Sequence, residues 1–340
     1  MSTNVEMVTG KPAAKSGRGK LILGCAAAFL IISCAVGGGL VFLISSVEGK
    51  LEDGLAAMSD GNCGSAIENF DQVSGSAFAT SDTKLAAENA RAVCQQYLNL
   101  VAQQNAGDGG SALAGYDDLL LEDPSSPLAP TIEQNAQAAM TADPAALANA
   151  ASCPKLGSFL ERGWLPDLDA KLPLFYQACG QVFVGTGDYS QAVAMFQRFV
   201  TAYPNHPAFE DVKQALAKAA VAEARAAGAG EIAPPQSVGG SGSGPAVVVI
   251  QNDSPEQLSL IFSGPEAVIE SLDLCLACTD FTTDPEFCPE LGPIGRYEVP
   301  AGTYEVVVSS ISDTEVTPFT GTWELSPGEE YYSCFFLVTE

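Results

Sequence analysis

Hydrophobic residues are spaced in three ways along this chain, and each spacing predicts a different kind of element. Over residues 21–45 they run without one charged side chain, LILGCAAAFLIISCAVGGGLVFLIS. A helix needs about 20 such residues to cross a bilayer, so a membrane helix is expected there. From about 50 to 227, Ala-, Leu- and Gln-rich blocks of helix length alternate with Gly, Asp and Pro, which predicts an all-α region. From 246 to 340 the apolar residues form short β-branched and aromatic runs at 246–250, 258–262, 303–308, 321–325 and 331–338. Strands with no helical block between them predict an antiparallel β-sandwich. Between these regions, residues 228–245 (GAGEIAPPQSVGGSGSGP) lack apolar periodicity and are expected to be a flexible tether. The fold class is therefore multidomain α + β: a basic tail (1–20), a membrane helix (21–45), a helical domain (50–227), a linker (228–245) and a sandwich (246–340).

The helical blocks carry an internal repeat. In residues 176–207, YQACGQVFVGTGDYSQAVAMFQRFVTAYPNHP, Tyr176, Gly180 and Phe183 are followed at fixed spacing by Ala192, Phe196 and Pro204. This pattern resembles a tetratricopeptide repeat, a 34-residue helical hairpin. The resemblance implies that Gly180 and Ala192 let two helices approach while Phe183 and Phe196 fill the space between layers. A shift of 80 residues aligns Gly107-Asp108, Ala112, Tyr116, Leu119, Pro124 and Pro127 with Gly187-Asp188, Ala192, Phe196, Phe199, Pro204 and Pro207. A further shift of 46 brings in Gly61, Ala66, Phe70 and Val73. Neither upstream unit keeps the full first-helix pattern. Residues 130–171 read as helical without a clear register, and 209–227 as a terminal capping helix. An ordinary Ala-rich helical bundle is the simpler alternative. In the C-terminal region, Val299-Pro-Ala-Gly-Thr-Tyr304 resembles the turn-into-strand of extracellular Ig-like or prealbumin-like β modules, with Gly302 making the turn and Tyr304 entering the strand.

Charge adds a direction. Residues 1–20 hold Lys11, Lys15, Arg18 and Lys20 against Glu6 alone, whereas the whole chain has 15 Lys+Arg against 41 Asp+Glu and a net charge of −26. Basic residues before the apolar run and Glu48, Glu52 and Asp53 after it place the N-terminus in the cytoplasm and the rest outside. A cleaved signal peptide and a lipoprotein with Cys34 lipidated are the competing readings. Such acidity excludes nucleic acid as a partner class, because phosphate binding needs Lys and Arg. Residues 246–340 hold one base, Arg296, against 17 acids; this reads as a solvated surface or as a face for calcium or a cationic partner.

The ten cysteines follow the same division. Cys25 and Cys34 lie in the apolar run, Cys63, Cys94, Cys153 and Cys179 in the helical region, and Cys275, Cys278, Cys288 and Cys334 in the β region. Even sets on the outer side predict disulfides. Cys63–Cys94 and Cys153–Cys179 are the neighbour-based pairings, and one bridge to Cys334 would fasten the long loop 273–296 to the last strand. Zinc is the rival, since Cys275 and Cys278 form a C-x2-C pair with two further thiols available.

Catalytic signals are weak. One histidine, His206, removes most triads. Gly185-Thr-Gly187 lacks the third glycine of a dinucleotide fingerprint, and Asp167 with Asp169 is one acidic pair among many. No catalytic residue, metal site or cofactor is assigned. The expected function is non-enzymatic: a single-pass plasma-membrane protein whose outer domains mediate protein–protein interaction or assembly in the cell envelope. The alternative is a ligand-sensing or carbohydrate-binding ectodomain with the sandwich as reader.

Overall fold

The computed structural model describes residues 46–280, 288–311 and 316–338. The membrane span expected over 21–45 lies outside them. Among the described residues no helix is long and apolar enough to cross a membrane. Helices occupy the N-terminal half and two sheets the C-terminal part, as the α + β reading expects. The chain divides into two compact units, Met1–Gln95 and Gln96–Glu340.

The first unit contains α1 (residues 46–59), α2 (Cys63–Gly75) and the start of α3 (Ser81–Asn105). Cys63 of α2 is bonded to Cys94 of α3, and Arg91 pairs with Asp71 at 2.7 Å. Phe70 and Val73 are fully buried on the face of α2 that also carries Ala66.

The second unit begins within α3 and continues through α4 (Gly109–Glu122), α5 (Ala129–Ala139), α6 (Pro144–Leu147), a 3-10 turn η1 (Cys153–Lys155), α7 (Leu156–Glu161), α8 (Leu168–Thr186), α9 (Tyr189–Ala202) and α10 (Phe209–Ala226). Among the described residues nine strands follow: β1 (Gly230–Glu231), β2 (Gln236–Gly240), β3 (Ala246–Asn252), β4 (Leu258–Ser263), β5 (Val268–Leu272), β6 (Ile294–Val299), β7 (Gly302–Ser310), β8 (Phe319–Leu325) and β9 (Glu329–Phe335). One sheet has the order β1-β8-β7-β4-β5 and the other β2-β9-β3-β6.

Alternating inward residues of both sheets share one core: Val248 and Ile250 of β3 and Tyr331 of β9 meet Leu260 and Phe262 of β4, Tyr304 and Val306 of β7, and Trp323 of β8. Phe262 lies at its centre, edge-on to Tyr304 and Trp323 at ring distances of 6.3 and 5.9 Å. Gly302 takes φ +154° against Pro265, and buried Tyr304 enters β7 with its hydroxyl donating to Pro300 O at 2.9 Å.

The structure corrects three expectations. The sheets are mixed, not antiparallel, because β1 runs parallel to β8 and β3 parallel to β9. After β8 the chain changes sheets through Ser326–Gly328, so β9 enters beside β3 running in the same direction. The segment 228–245 is also not a free tether throughout, since β1 and β2 lie in it and each extends one sheet. All five residues of β2 are exposed, so backbone pairing with β9 holds it without any side chain being buried. Nor does α10 simply cap the helices. Val221 and Ala224 pack on Val307 and Ile261 of the first sheet, and Arg225 reaches Glu305 at 2.8 Å.

Candidate functional site

One helix–turn–helix joint occurs three times, and its residues are those of the sequence repeat. Gly61, Gly107 and Gly187 have φ of +74°, +92° and +79° and close α1, α3 and α8. This left-handed conformation favours glycine, which has no Cβ to clash with the following carbonyl. The next residue caps the following helix: Asn62, Asp108 and Asp188 accept from the amides of Ser65, Ser111 and Gln191 at 3.3, 3.2 and 3.3 Å. Each cap amide also reaches back five residues, to Ala57 O, Gln103 O and Phe183 O.

The packing inside each hairpin follows from the small residues. A Cβ on Gly180 would sit 2.6 Å from Cδ1 and Cζ of Phe196, so the ring of α9 lies on bare backbone of α8. Gly54 stands in the same relation to Phe70, whose Cδ1 would be 2.8 Å from its Cβ. The middle hairpin reverses the sizes. Leu100 stands where the others have glycine, and Gly115 of α4 makes room for its side chain, with Leu100 Cδ1 3.0 Å from the position of a Cβ.

Ala192, Phe196 and Phe183 are buried as expected, while Tyr176 is half-buried beside Tyr203 at a ring distance of 6.5 Å. Pro204 lies in the turn after α9 rather than in a helix. The turns after α4 and α9 also match. Ser126 Oγ accepts from the Leu128 amide at 3.4 Å, and His206 Nδ1 accepts from the Ala208 amide at 3.1 Å. His206 therefore closes a turn, edge-on to Phe199 at 5.1 Å.

All eight cysteines among the described residues are paired: Cys63–Cys94, Cys153–Cys179, Cys275–Cys278 and Cys288–Cys334. The two neighbour-based pairings and the bridge to Cys334 are present. The first two bonds tie helix to helix or turn to helix.

The last two bonds lie on either side of Asp253, which the sequence analysis did not single out. Gln251, Asn252, Asp253 and Ser254 are all buried at the end of β3, a polar stretch directly after AVVVI. Asp253 Oδ1 accepts from the amides of Leu291 (2.9 Å) and Gly292 (2.6 Å) and from Gln251 Nε2 (3.2 Å). Oδ2 accepts from the Glu290 amide at 2.8 Å. Glu290 holds φ +56°, a left-handed value that turns these successive amides onto the carboxylate. Cys288 Sγ and Cys334 Sγ lie 3.1 and 3.6 Å from Oδ2. As disulfide sulfurs they carry no proton, so these are S···O contacts. Tyr332 donates its hydroxyl among Gln251 Oε1 (2.8 Å) and Cys288 Sγ (3.2 Å), and burial pushes that phenol above its ordinary value.

A second buried cluster, also unforeseen, joins α4 to η1 and α7. Asp117, 1% exposed, accepts from Ser158 (2.5 Å), Arg162 (2.9 Å) and Lys155 (3.2 Å). Lys155 also pairs with Asp118, and Arg162 with Glu133, which accepts from Trp164 Nε1. The Arg162 guanidinium lies 5.6 Å from the Trp164 ring centre. Burial raises the Asp117 carboxyl, but the hydrogen bonds from Ser158, Arg162 and Lys155 outweigh it and hold it below 3.8. These groups saturate one another, so the cluster is a structural clasp.

No protein-family model matches the chain, and no curated protein is similar to it.

Proposed function

We propose that this chain is a non-enzymatic, single-pass membrane protein whose helical and sandwich regions lie outside the cytoplasm and bind a protein partner in the cell envelope. The observation that carries this reading is the hairpin joint repeated at Gly61-Asn62, Gly107-Asp108 and Gly187-Asp188. Repeated hairpins are a scaffold geometry of the kind that presents an extended face to a partner. The tetratricopeptide-like spacing of Tyr176, Gly180, Phe183, Ala192, Phe196 and Pro204 supports the same role. Disulfides at all eight outer cysteines agree with an oxidising compartment. The uncharged run 21–45 behind a basic tail supports the anchor.

The test is site-specific photo-crosslinking in intact cells. Leu174 and Val184 are exposed apolar positions on α8, the first helix of the best-formed hairpin. A crosslinker at either should give the same protein adduct, and one at exposed Gln197 of α9 should not. Adducts that do not differ among the three positions would refute a binding face on α8.

A further inference from the structure

Independently of the binding role, the end of the sandwich carries a donor set for a metal ion. A fully buried carboxylate is normally paired with a cation or coordinated to a metal. Asp253 has neither. Arg296, the single base of residues 246–340, is engaged on the surface with Glu330 at 2.9 Å. Besides three backbone amides and Gln251, what faces Asp253 is sulfur. One carboxylate oxygen with Cys288 and Cys334 forms a set of donor atoms all within 4.8 Å of one another, and Asp253 with Cys275 and Cys278 forms a second.

We propose that reduction of Cys288–Cys334 converts the first set into a site for one soft divalent cation, Zn2+, held by Asp253 Oδ2 and the two thiolates. The two oxygens of Asp253 are already divided for this. Oδ1 takes two backbone amides and Gln251, while Oδ2 takes one amide and faces both sulfurs. Tyr332 supplies an outer hydrogen bond to Cys288 Sγ and Gln251 one to the carboxylate, the kind of support that orients metal ligands. Tetrahedral zinc needs Zn–S near 2.3 Å and Zn–O near 2.0–2.2 Å, which puts ligand atoms roughly 3.5–3.8 Å apart. The carboxylate–sulfur distances of 3.1 and 3.6 Å already approach this. Only the two sulfurs must separate, which cleavage of their bond permits.

The step balances with a dithiol as reductant. It supplies two electrons and two protons and leaves as its own disulfide, while Cys288 and Cys334 become thiols. Zn2+ then displaces both thiol protons to solvent, and water fills the fourth position. Cys288 and Cys334 are half-buried, whereas Cys275 and Cys278 are 2% and 8% exposed, so a reductant reaches the first pair more readily.

The full chain, untreated or reduced with a phosphine under argon, is titrated with Co2+ and then Zn2+. Reduced chain is expected to develop thiolate-to-cobalt charge-transfer absorption that Zn2+ abolishes, and untreated chain to develop none. The substitutions Cys288→Ser with Cys334→Ser should remove one equivalent of bound metal, and Cys275→Ser with Cys278→Ser should not. Asp253→Asn should weaken Zn2+ at least tenfold and Asp253→Glu less. Equal binding by untreated chain overturns the proposal, as does loss of the equivalent in the Cys275/Cys278 variant alone. If a cysteine variant fails to fold, judged by near-UV dichroism of its tryptophans, the Asp253 pair decides: unchanged affinity in Asp253→Asn overturns the site.

Discussion

Gly180→Ala and Gly185→Ala place the same methyl group on the same helix, α8, and the structure assigns them opposite effects. Both replace a helical glycine and gain about 1 kcal/mol of helix propensity. At Gly185 the new Cβ meets nothing within 4 Å, so that gain stands alone. At Gly180 it meets the Phe196 ring at 2.6 Å, closer than carbon atoms approach without displacement. Phe196 is 1% exposed and cannot swing into solvent, so the hairpin must open or the ring leave its rotamer. Overpacking of this kind costs about 1–3 kcal/mol. Because the propensity gain cancels in the comparison, Gly180→Ala should be less stable than Gly185→Ala by about 1–3 kcal/mol. Urea unfolding of the oxidised chain, followed by far-UV circular dichroism, measures the difference. Adding Phe196→Leu should recover part of the loss in Gly180→Ala, a coupling that a double-mutant cycle reads directly. Equal midpoints for the two alanine variants would refute the close approach and with it the packing logic of the repeat.

Further outcomes follow from the same geometry. Asp188→Ala and Asp108→Ala each remove a cap and should lower stability by about 0.5–2 kcal/mol in the same assay. Asp117→Asn leaves Lys155 and Arg162 without their shared carboxylate and should cost about 2–3 kcal/mol at neutral pH, below the range for fully buried pairs because both bases are partly exposed. The Asp117 carboxyl is depressed in the fold, so its stabilisation is present above 3.8 and lost as pH falls through the folded value; the asparagine variant should show a flatter acid limb in pH-dependent unfolding. Burial opposes the Lys155 charge, yet Asp118 and Asp117 raise its pKa above 10.5, so its contribution fades only as pH rises through that raised value. Replacing Cys153 and Cys179 by alanine opens a 26-residue closure and should cost about 3.5 kcal/mol by loop entropy, against about 1.6 kcal/mol for the three-residue closure of Cys275–Cys278, measurable as shifts in unfolding midpoint.

These particulars show what was legible in the sequence. The joints were, because a left-handed turn demands glycine and an uncapped amide demands a short polar side chain, so Gly187-Asp188 and its relatives repeat as letters. The middle hairpin was harder to see, because packing constrains the sum of two facing side chains and not either one alone; Leu100 against Gly115 satisfies it as well as Gly180 against Phe196. Gly54 lies at the same 16-residue spacing from Phe70 but precedes the Gly-Asn turn, so the letters of the joint do not mark it. The strands of the supposed tether left no trace, because β2 is held through backbone groups that every residue has. Asp253 is one acid among many in the sequence, and the amides that hold its carboxylate come from Glu290, Leu291 and Gly292, distant in sequence. The one local signal was four polar residues closing an apolar strand.

The seating of α10 on β4 and β7, with β1 continuing at once onto β8, has a mechanical meaning. A hinge between helices and sandwich would let each find its own orientation. Here the exit of α10 is clamped by Val221 and Ala224 and by the Arg225–Glu305 pair, with β1 beginning at Gly230. Torque applied to the last hairpin is passed into the sheet instead of being dissipated in slack chain. Whatever grips α8 and α9 thereby holds the orientation of the disulfide-bearing end of the sandwich as well.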